Sequence, residues 1–547
     1  MYADGPRRGL PTRSRLKVQR QQRALAVVLL LSLVLFACVE DKVTDGLGRS
    51  TGGGGSSTSD GSGEGGGAGS GGGDGDRAGG TTTAPVPDDG PYANDDGYDG
   101  WVDPASSGNP WTSEVDGLLT FRGNPTRSYY GKGPVPEAPE ILWQVPSENG
   151  FCGESAVGGE AKTWCGTGWT GQPSVWEDPD TDRTWVAFGA YDKNVHFLDA
   201  DDGSDIIPPF AIGDIVKGSV TRDPDGFPLL YSGSRADFHV IATDREAPES
   251  LWSMNAEDVS PTLWNDDWDS SPLVIDDYLF EGGENSQFFI VKLNRAMGDD
   301  GLVTVDPQVV FNAPGWDDEL LGDLSGSGTR GEDVSIENSL VVVGDTVYFT
   351  NSGGLVQGWD ISTLADGGTP ERTFRFWSGD DTDASLVADD EGMLYLGQEV
   401  ERESSSTRNQ EIGQLVKLDP SKPEDPVVWS VADDNGIWAT PGVADGIVIA
   451  PTDSGRIIGA DAETGEILWE KQLPGPTWSS PVIVDDVWIQ GDCAGTLHAF
   501  DLSDPRVDPP ELWTVEVEGC VESTPAVWDG RIYVGARGGR VYAIGDA

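Results

Sequence analysis

The chain has 547 residues and carries 93 Asp and Glu against 35 Lys and Arg, a formal net charge of −58. A surface that acidic repels nucleic-acid phosphates and anionic lipid, which excludes both as partners, and favours solubility and the binding of cations or basic surfaces. Residues 1–23 hold seven of the basic residues and a single acid, so the charge left after residue 37 is −64, from 28 basic and 92 acidic residues.

In chain order, the first feature is ALAVVLLLSLVLFA (Ala24–Ala37), an apolar run of 14 residues behind the basic stretch and ahead of Cys38. It is too short to span a bilayer comfortably and has the form of a signal-peptide core. LFAC (Leu35–Cys38) resembles a bacterial lipobox, which implies lipidation of Cys38; two acyl chains suffice for stable anchoring. TGGGGSSTSDGSGEGGGAGSGGGDGDRAGG (Thr51–Gly80) has no residues with which to build a core and reads as flexible coil. The expected organisation is a lipoprotein signal peptide over 1–37, an acidic Gly/Ser-rich tether over 38–100, a lead-in segment over 101–137 and a folded domain over 138–547.

From about residue 170 one pattern recurs every 40–60 residues or so. A short strand often opens on Ser/Thr-Pro: SSPLVI (Ser270), ATPGVA (Ala439), SSPVIV (Ser479), STPAVW (Ser523). Two strands joined by a Gly-rich turn follow, the second ending in Asp: Asp199, Asp360, Asp419, Asp461, Asp501. A last strand carries an aromatic: Phe210, Trp252, Phe311, Trp377, Trp429, Trp469, Trp513. Repeated four-stranded units predict an all-β, eight-bladed β-propeller. First strands are expected near Pro173, Ser219, Pro272, Ser339, Ser385, Pro441, Pro481 and Pro525, and the extra residues near 312–335 and 399–411 read as loops. The recurring acids are read as turn residues that hydrogen-bond their own backbone. The eighth unit lacks a fourth strand at the C-terminus. Ile141–Pro146 is predicted to supply it, with Trp143 as the missing aromatic, closing the ring and removing two open sheet edges.

DAETGEILW, preceded by GRIIGA and followed by SSPVIV, resembles the PQQ-type repeat of quinoprotein dehydrogenase propellers and BamB-like envelope lipoproteins. FRGNPTRSYYG (Phe121–Gly131) is similar to the segment that precedes the first blade in such proteins. The resemblance implies a propeller over about residues 118–547. For the enzymes it implies PQQ held between a tryptophan and a disulfide of adjacent cysteines, with calcium and an aspartate base. This sequence has no adjacent cysteines, so no cofactor is expected, and a PQQ-dependent dehydrogenase of alcohols or sugars stands as the alternative function.

With Cys38 lipidated, Cys152, Cys165, Cys493 and Cys520 remain for disulfides, and three pairings are open. Propeller topology favours 152–165 and 493–520, because each pair then lies in loops of one face. No metal site is expected: Asp178–Thr184 begins like a calcium loop, but Arg183 stands where the tight turn wants Gly and Gly189 where a bidentate Glu belongs. One constellation suits a ligand. Trp169, Trp268, Trp438 and Trp478 lie three or four residues ahead of a first-strand proline, and Asp269, Glu337, Asn338 and Glu522 hold similar places. Aromatic faces among carboxylates at a propeller mouth suit a polar ligand with a cationic or sugar-like surface. The expected protein is a monomeric binding or scaffold module, exported and anchored by lipid, for an envelope protein or polysaccharide.

Overall fold

The computed structural model describes residues 97–547 except 157–160, 169–170, 180, 182, 326–331 and 403–406. The expected signal peptide, Cys38, the expected tether as far as residue 96, and Trp169 lie outside the described residues. Eight sheets, each a four-stranded antiparallel meander from the inside outward, form the propeller; two gain a fifth strand from the lead-in, Gly117–Leu118 antiparallel to Ser174–Asp178 and Gly131–Lys132 parallel to Ala526–Trp528. The predicted inner strands appear in order: Ser174–Asp178, Thr221–Arg222, Leu273–Ile275, Val341–Val343, Val387–Ala388, Gly442–Ala444, Val482–Val484 and Ala526–Trp528. Alternate residues of these strands face neighbouring sheets, and the buried clusters are accordingly made of residues from two or more blades.

The Ser/Thr of the repeat joins blade to blade. The Ser271 N–H donates to Ser339 Oγ (3.0 Å), Ser339 N–H to Ser385 Oγ (2.9 Å), Ser385 N–H to Thr440 Oγ1 (3.0 Å) and Thr440 N–H to Ser480 Oγ (3.1 Å). Gln172 N–H donates likewise to Ser219 Oγ at 2.9 Å. Each hydroxyl satisfies a backbone donor of the preceding blade that a proline-rich first strand leaves without a ladder partner.

The late aromatic makes the outer joint. Trp429 Nε1 donates to Ala462 O of the next blade at 3.1 Å, and Gly465 lies against its ring. Gly465 has φ +72°, and an added Cβ would sit 2.7 Å from the indole, so the TG of the repeat is required twice over. The ring closes by the same joint. Glu140–Val145 pairs antiparallel with Arg540–Gly545, Trp143 Nε1 donates to Ala200 O at 2.9 Å, and Gly203 (φ +72°) lies against the Trp143 ring.

Two stretches read as loops contain short helices, Asp318–Leu324 and Thr407–Ile412. The first is N-capped by Asp317, which accepts from Leu320 N–H at 2.9 Å, and it buries Leu320 and Leu324. Among the described residues no helix is long and apolar enough to cross a membrane. The turn acids behave as expected: Asp461 Oδ1 accepts from Glu463 N–H and Thr464 N–H, and Asp419 and Asp501 do the same for Ser421 and Ser503.

The lead-in segment forms a hub at one end of the ring axis. In chain order, carbonyls of Asp116, Leu119, Pro125, Thr126 and Lys132 accept from N–H groups of Glu177, Arg222, Val342, Ala388 and Asp529. These partners lie in blades 1, 2, 4, 5 and 8, and the Tyr130 hydroxyl bonds Val443 of blade 6. At the centre, Arg122 and Arg127 are fully buried. Arg122 donates to the carbonyls of Thr440, Pro441 and Pro481, and Arg127 to those of Leu340, Ser271 and Phe121.

Candidate functional site

The lead-in carbonyls meet the inner strands toward the ends where these turn back, and the residues that precede the strands gather at the other end, called the mouth below. Two rings of side chains frame that mouth. Three residues ahead of the Pro, or of the residue in its place, stand Lys217, Asp269, Glu337, Asp383, Trp438, Trp478 and Glu522. The turn after each second strand adds Tyr191, Arg235, Glu284, Ser352, Glu399, Asp453, Cys493 and Arg537. Inner and outer residues of one blade meet in several places: Glu522 with Arg537 at 2.9 Å, Ser352 Oγ with Glu337 Oε1 at 3.4 Å. Both disulfides, 152–165 and 493–520, form at this face, the first clamping a hairpin of Cys152–Ser155 with Lys162–Cys165.

The mouth has three charged sectors. In the first, Lys217 Nζ lies 2.6 Å from Asp269, 2.7 Å from Glu284 and 3.2 Å from Asp267. Burial pushes the Asp269 carboxyl well above the usual range and Asp267 up to about 6, partly offset by Lys217. Glu284 is held low in spite of its burial, because Lys217 is beside it and Asn265 Nδ2 donates to it at 2.7 Å. In the second sector, Arg537 pairs with Glu522 and lies over the rings of Tyr191 (4.9 Å) and Trp164 (5.5 Å). Its Nε donates to Cys165 O at 3.0 Å, tying the disulfide hairpin to blade 8.

The third sector belongs to blades 4 to 6 and is acidic throughout. Asp381, Asp383 and Glu399 bring carboxylate oxygens within 4.8 Å of one another. Asp383 Oδ2 accepts from Trp438 Nε1 at 2.9 Å, and Trp438 meets Trp478 edge to face at 5.3 Å. Burial, then the neighbouring Glu337, pushes the Asp383 carboxyl well up; burial, then Asp383, does the same to Glu399. Asp453 is pushed up to about 8 by burial and by Glu401.

The predicted residues therefore divide. Asp269, Glu337, Trp438, Trp478 and Glu522 share the mouth. Trp268 does not: it is 1% exposed, packs against Phe238 and Phe289, and donates to Ala236 O. Asn338 is fully buried and joins blades 4 and 5, donating to Thr382 O at 3.1 Å and accepting from Thr350 N–H. Glu284, Glu399, Asp453 and Arg537 are the mouth residues that the first-strand motif does not reveal, and the turn two residues past the second-strand Gly marks several of them; Lys217 and Asp383 hold the motif's position without its Pro.

Raised carboxyls make stability depend on pH. Glu281, fully buried and bonded to Ser270 Oγ at 2.6 Å, is pushed up to about 8 by burial. Folded chain keeps such a proton to near pH 8, whereas unfolded chain releases it near pH 4, so stability is whole below about 4 and falls as pH rises toward 8. The thermal midpoint is expected to be higher at pH 5 than at pH 8, and Glu281→Gln to narrow the gap. An equal gap in the variant would remove Glu281 as a source.

An eight-bladed propeller with one end closed by its own chain and the other an acidic, indole-bearing mouth is the class of protein that these features define. Residues 411–544, in the last part of the ring, match the family model described as outer membrane protein assembly factor BamB. No curated protein matches the chain in sequence. Among solved structures, the computationally designed Ika8 protein is similar at 13% identity and a TM-score of 0.47, over 66% of this chain and 93% of that one. BamB from Moraxella catarrhalis is similar at 13% identity and a TM-score of 0.37, over 75% of this chain and 99% of that one. The cysteines pair 152–165 and 493–520, which is not the adjacent-cysteine disulfide that the quinoprotein enzymes would lead one to seek.

Proposed function

We propose that this protein is a non-catalytic binding module of the cell envelope, anchored through lipid on Cys38, that holds a partner at the mouth of its propeller. The carrying observation is the gathering of carboxylates and indoles, with Lys217 and Arg537 among them, where the inner strands begin. Two disulfides on the same face support an oxidising compartment and fix the loops that bear the outer ring. The tether suits reach away from a membrane better than burial in a membrane-embedded complex.

A photocrosslinking residue at Ala494, exposed in the mouth turn of blade 7, tests this in cells against one at Gly446, in the hairpin turn at the hub end of blade 6. Crosslinks are expected from position 494 and not from 446, and Trp438→Ala with Trp478→Ala is expected to abolish them while the circular dichroism of the folded domain is kept. Crosslinks from 494 that survive the double variant would return the tryptophans to a packing role.

A further inference from the structure

In blade 7 one buried imidazole stands between two carboxylates. His498 lies in the third strand, Thr496–Asp501, with its side chain 5% exposed. Its Nδ1 is 2.9 Å from Glu511 Oε1 of the fourth strand, and its Nε2 is 3.6 Å from Asp492 Oδ2. Among the described residues Nε2 has no hydrogen-bond partner. A neutral imidazole carries one N–H and one lone pair, so it serves one of these acids and turns its lone pair on the other. The imidazolium offers an N–H to each.

The inner of the two acids is a node of the mouth. Asp492 is fully buried, and its Oδ1 accepts from Ala494 N–H at 2.9 Å and Thr496 N–H at 3.1 Å. Its Oδ2 accepts from Gly475 N–H at 3.1 Å. The one carboxylate thus fixes the turn 492–496, which carries Cys493, and the connection that enters blade 7 from blade 6. On the same side of the strand, Lys471 of blade 6 lies 5.2 Å over Phe500 and pairs with Asp508 at 2.5 Å, and Glu516 accepts from Thr496 Oγ1 at 3.2 Å. Burial by itself would lower the His498 pKa, but Asp492 and Glu511 outweigh it and raise it above the ordinary 6.5. We infer that His498 is a pH-sensitive latch on the mouth turn of blade 7, closed when the ring is protonated and released when it loses that proton. The contribution of the latch is whole below about 6.5, the unfolded value, and is lost as pH rises through the folded one. It acts whatever the mouth binds.

NMR of the full chain tests this, with only three histidines to assign. The His498 ring is expected to titrate above 6.5, and Glu511→Gln, at a half-exposed position, to lower that midpoint. Amide protection, corrected for the intrinsic exchange rate at each pH, is expected to fall about 10-fold at Gly475, Ala494 and Thr496 as pH passes the midpoint, the scale of one hydrogen bond to a charged group. Thr452 and Gly455, bonded in the matching turn of blade 6, are the reference and should not follow. His498→Gln should hold the three amides at the lower level at every pH. An equal fall in both turns would make the effect a loss of global stability and overturn the latch. So would a His498 midpoint at or below 6.5, or protection in His498→Gln that still falls with pH. Should His498→Gln fail to fold, Glu511→Gln decides alone: the fall in protection must move down in pH with the ring, and a fall that stays in place overturns the latch.

Discussion

Deletion of residues 138–147 is expected to leave no folded domain, although the segment lies almost 400 residues from the strand that it pairs with. It contains the fourth strand of blade 8, Glu140–Val145, whose ladder to Arg540–Gly545 closes the ring. Without it the edge of Arg540–Gly545 is open, Ala200 O loses the Trp143 N–H, and the apolar face of blade 8 loses Trp143 and Val145 from its cluster. A stacked ring tolerates this poorly, because each blade buries its face only against a neighbour. An open edge next to an exposed apolar face is also a template for aggregation. Expression should give insoluble protein or a chain without a cooperative thermal transition. A soluble deletion variant with wild-type circular dichroism would show that the other seven joints hold the ring without the seam.

That closure could be read from sequence because its parts are repeated elsewhere: ILWQVP carries the same late tryptophan as EILWEK, and it meets a DG turn as Trp429 meets a TG turn. Whatever recurs eight times is legible in this way, including the inner strands and their order. Register within a repeat is less legible. Trp438 and Trp478 stand three residues ahead of their prolines and Trp268 four ahead of Pro272; in extended backbone one residue reverses the face, so Trp268 enters the core while Asp269 takes the mouth position. Short helices of seven and six residues are below the length at which an apolar period shows, so they were expected as loops. The hub was hidden for the opposite reason. FRGNPTRSYYG occurs once, and nothing local in it says that two arginines will be buried.

Arg127→Met is expected to destabilise the protein by about 3–5 kcal/mol, the range for losing one member of a buried, fully bonded charged group. The guanidinium donates through Nε to Leu340 O at 2.8 Å, through one terminal nitrogen to Phe121 O and Thr120 Oγ1, and through the other to Ser271 O at 2.7 Å. It thereby joins blade 3, blade 4 and the lead-in at the axis, where burial pushes its pKa down to about 9. Methionine fills similar space but leaves those carbonyls without donors, each costing about 1–3 kcal/mol. It also removes the positive charge nearest the Glu281 carboxyl, so the loss should deepen between pH 5 and pH 8 as Glu281 ionises. Arg127→Lys separates geometry from charge: one ammonium cannot reach blades 3 and 4 together, so it should recover less than half of the loss. Both Arg122 and Arg127 have left-handed backbones, φ 56° and 59°, uncommon outside glycine. Arg506→Met, which breaks an exposed pair with Asp461, serves as the reference and should stay within about 1 kcal/mol. Urea midpoints measured at both pH values decide it. If Arg127→Met unfolds where Arg506→Met does, the hub covers the axis without fastening it, and the ring must be held by the hydroxyl belt and the tryptophan joints alone.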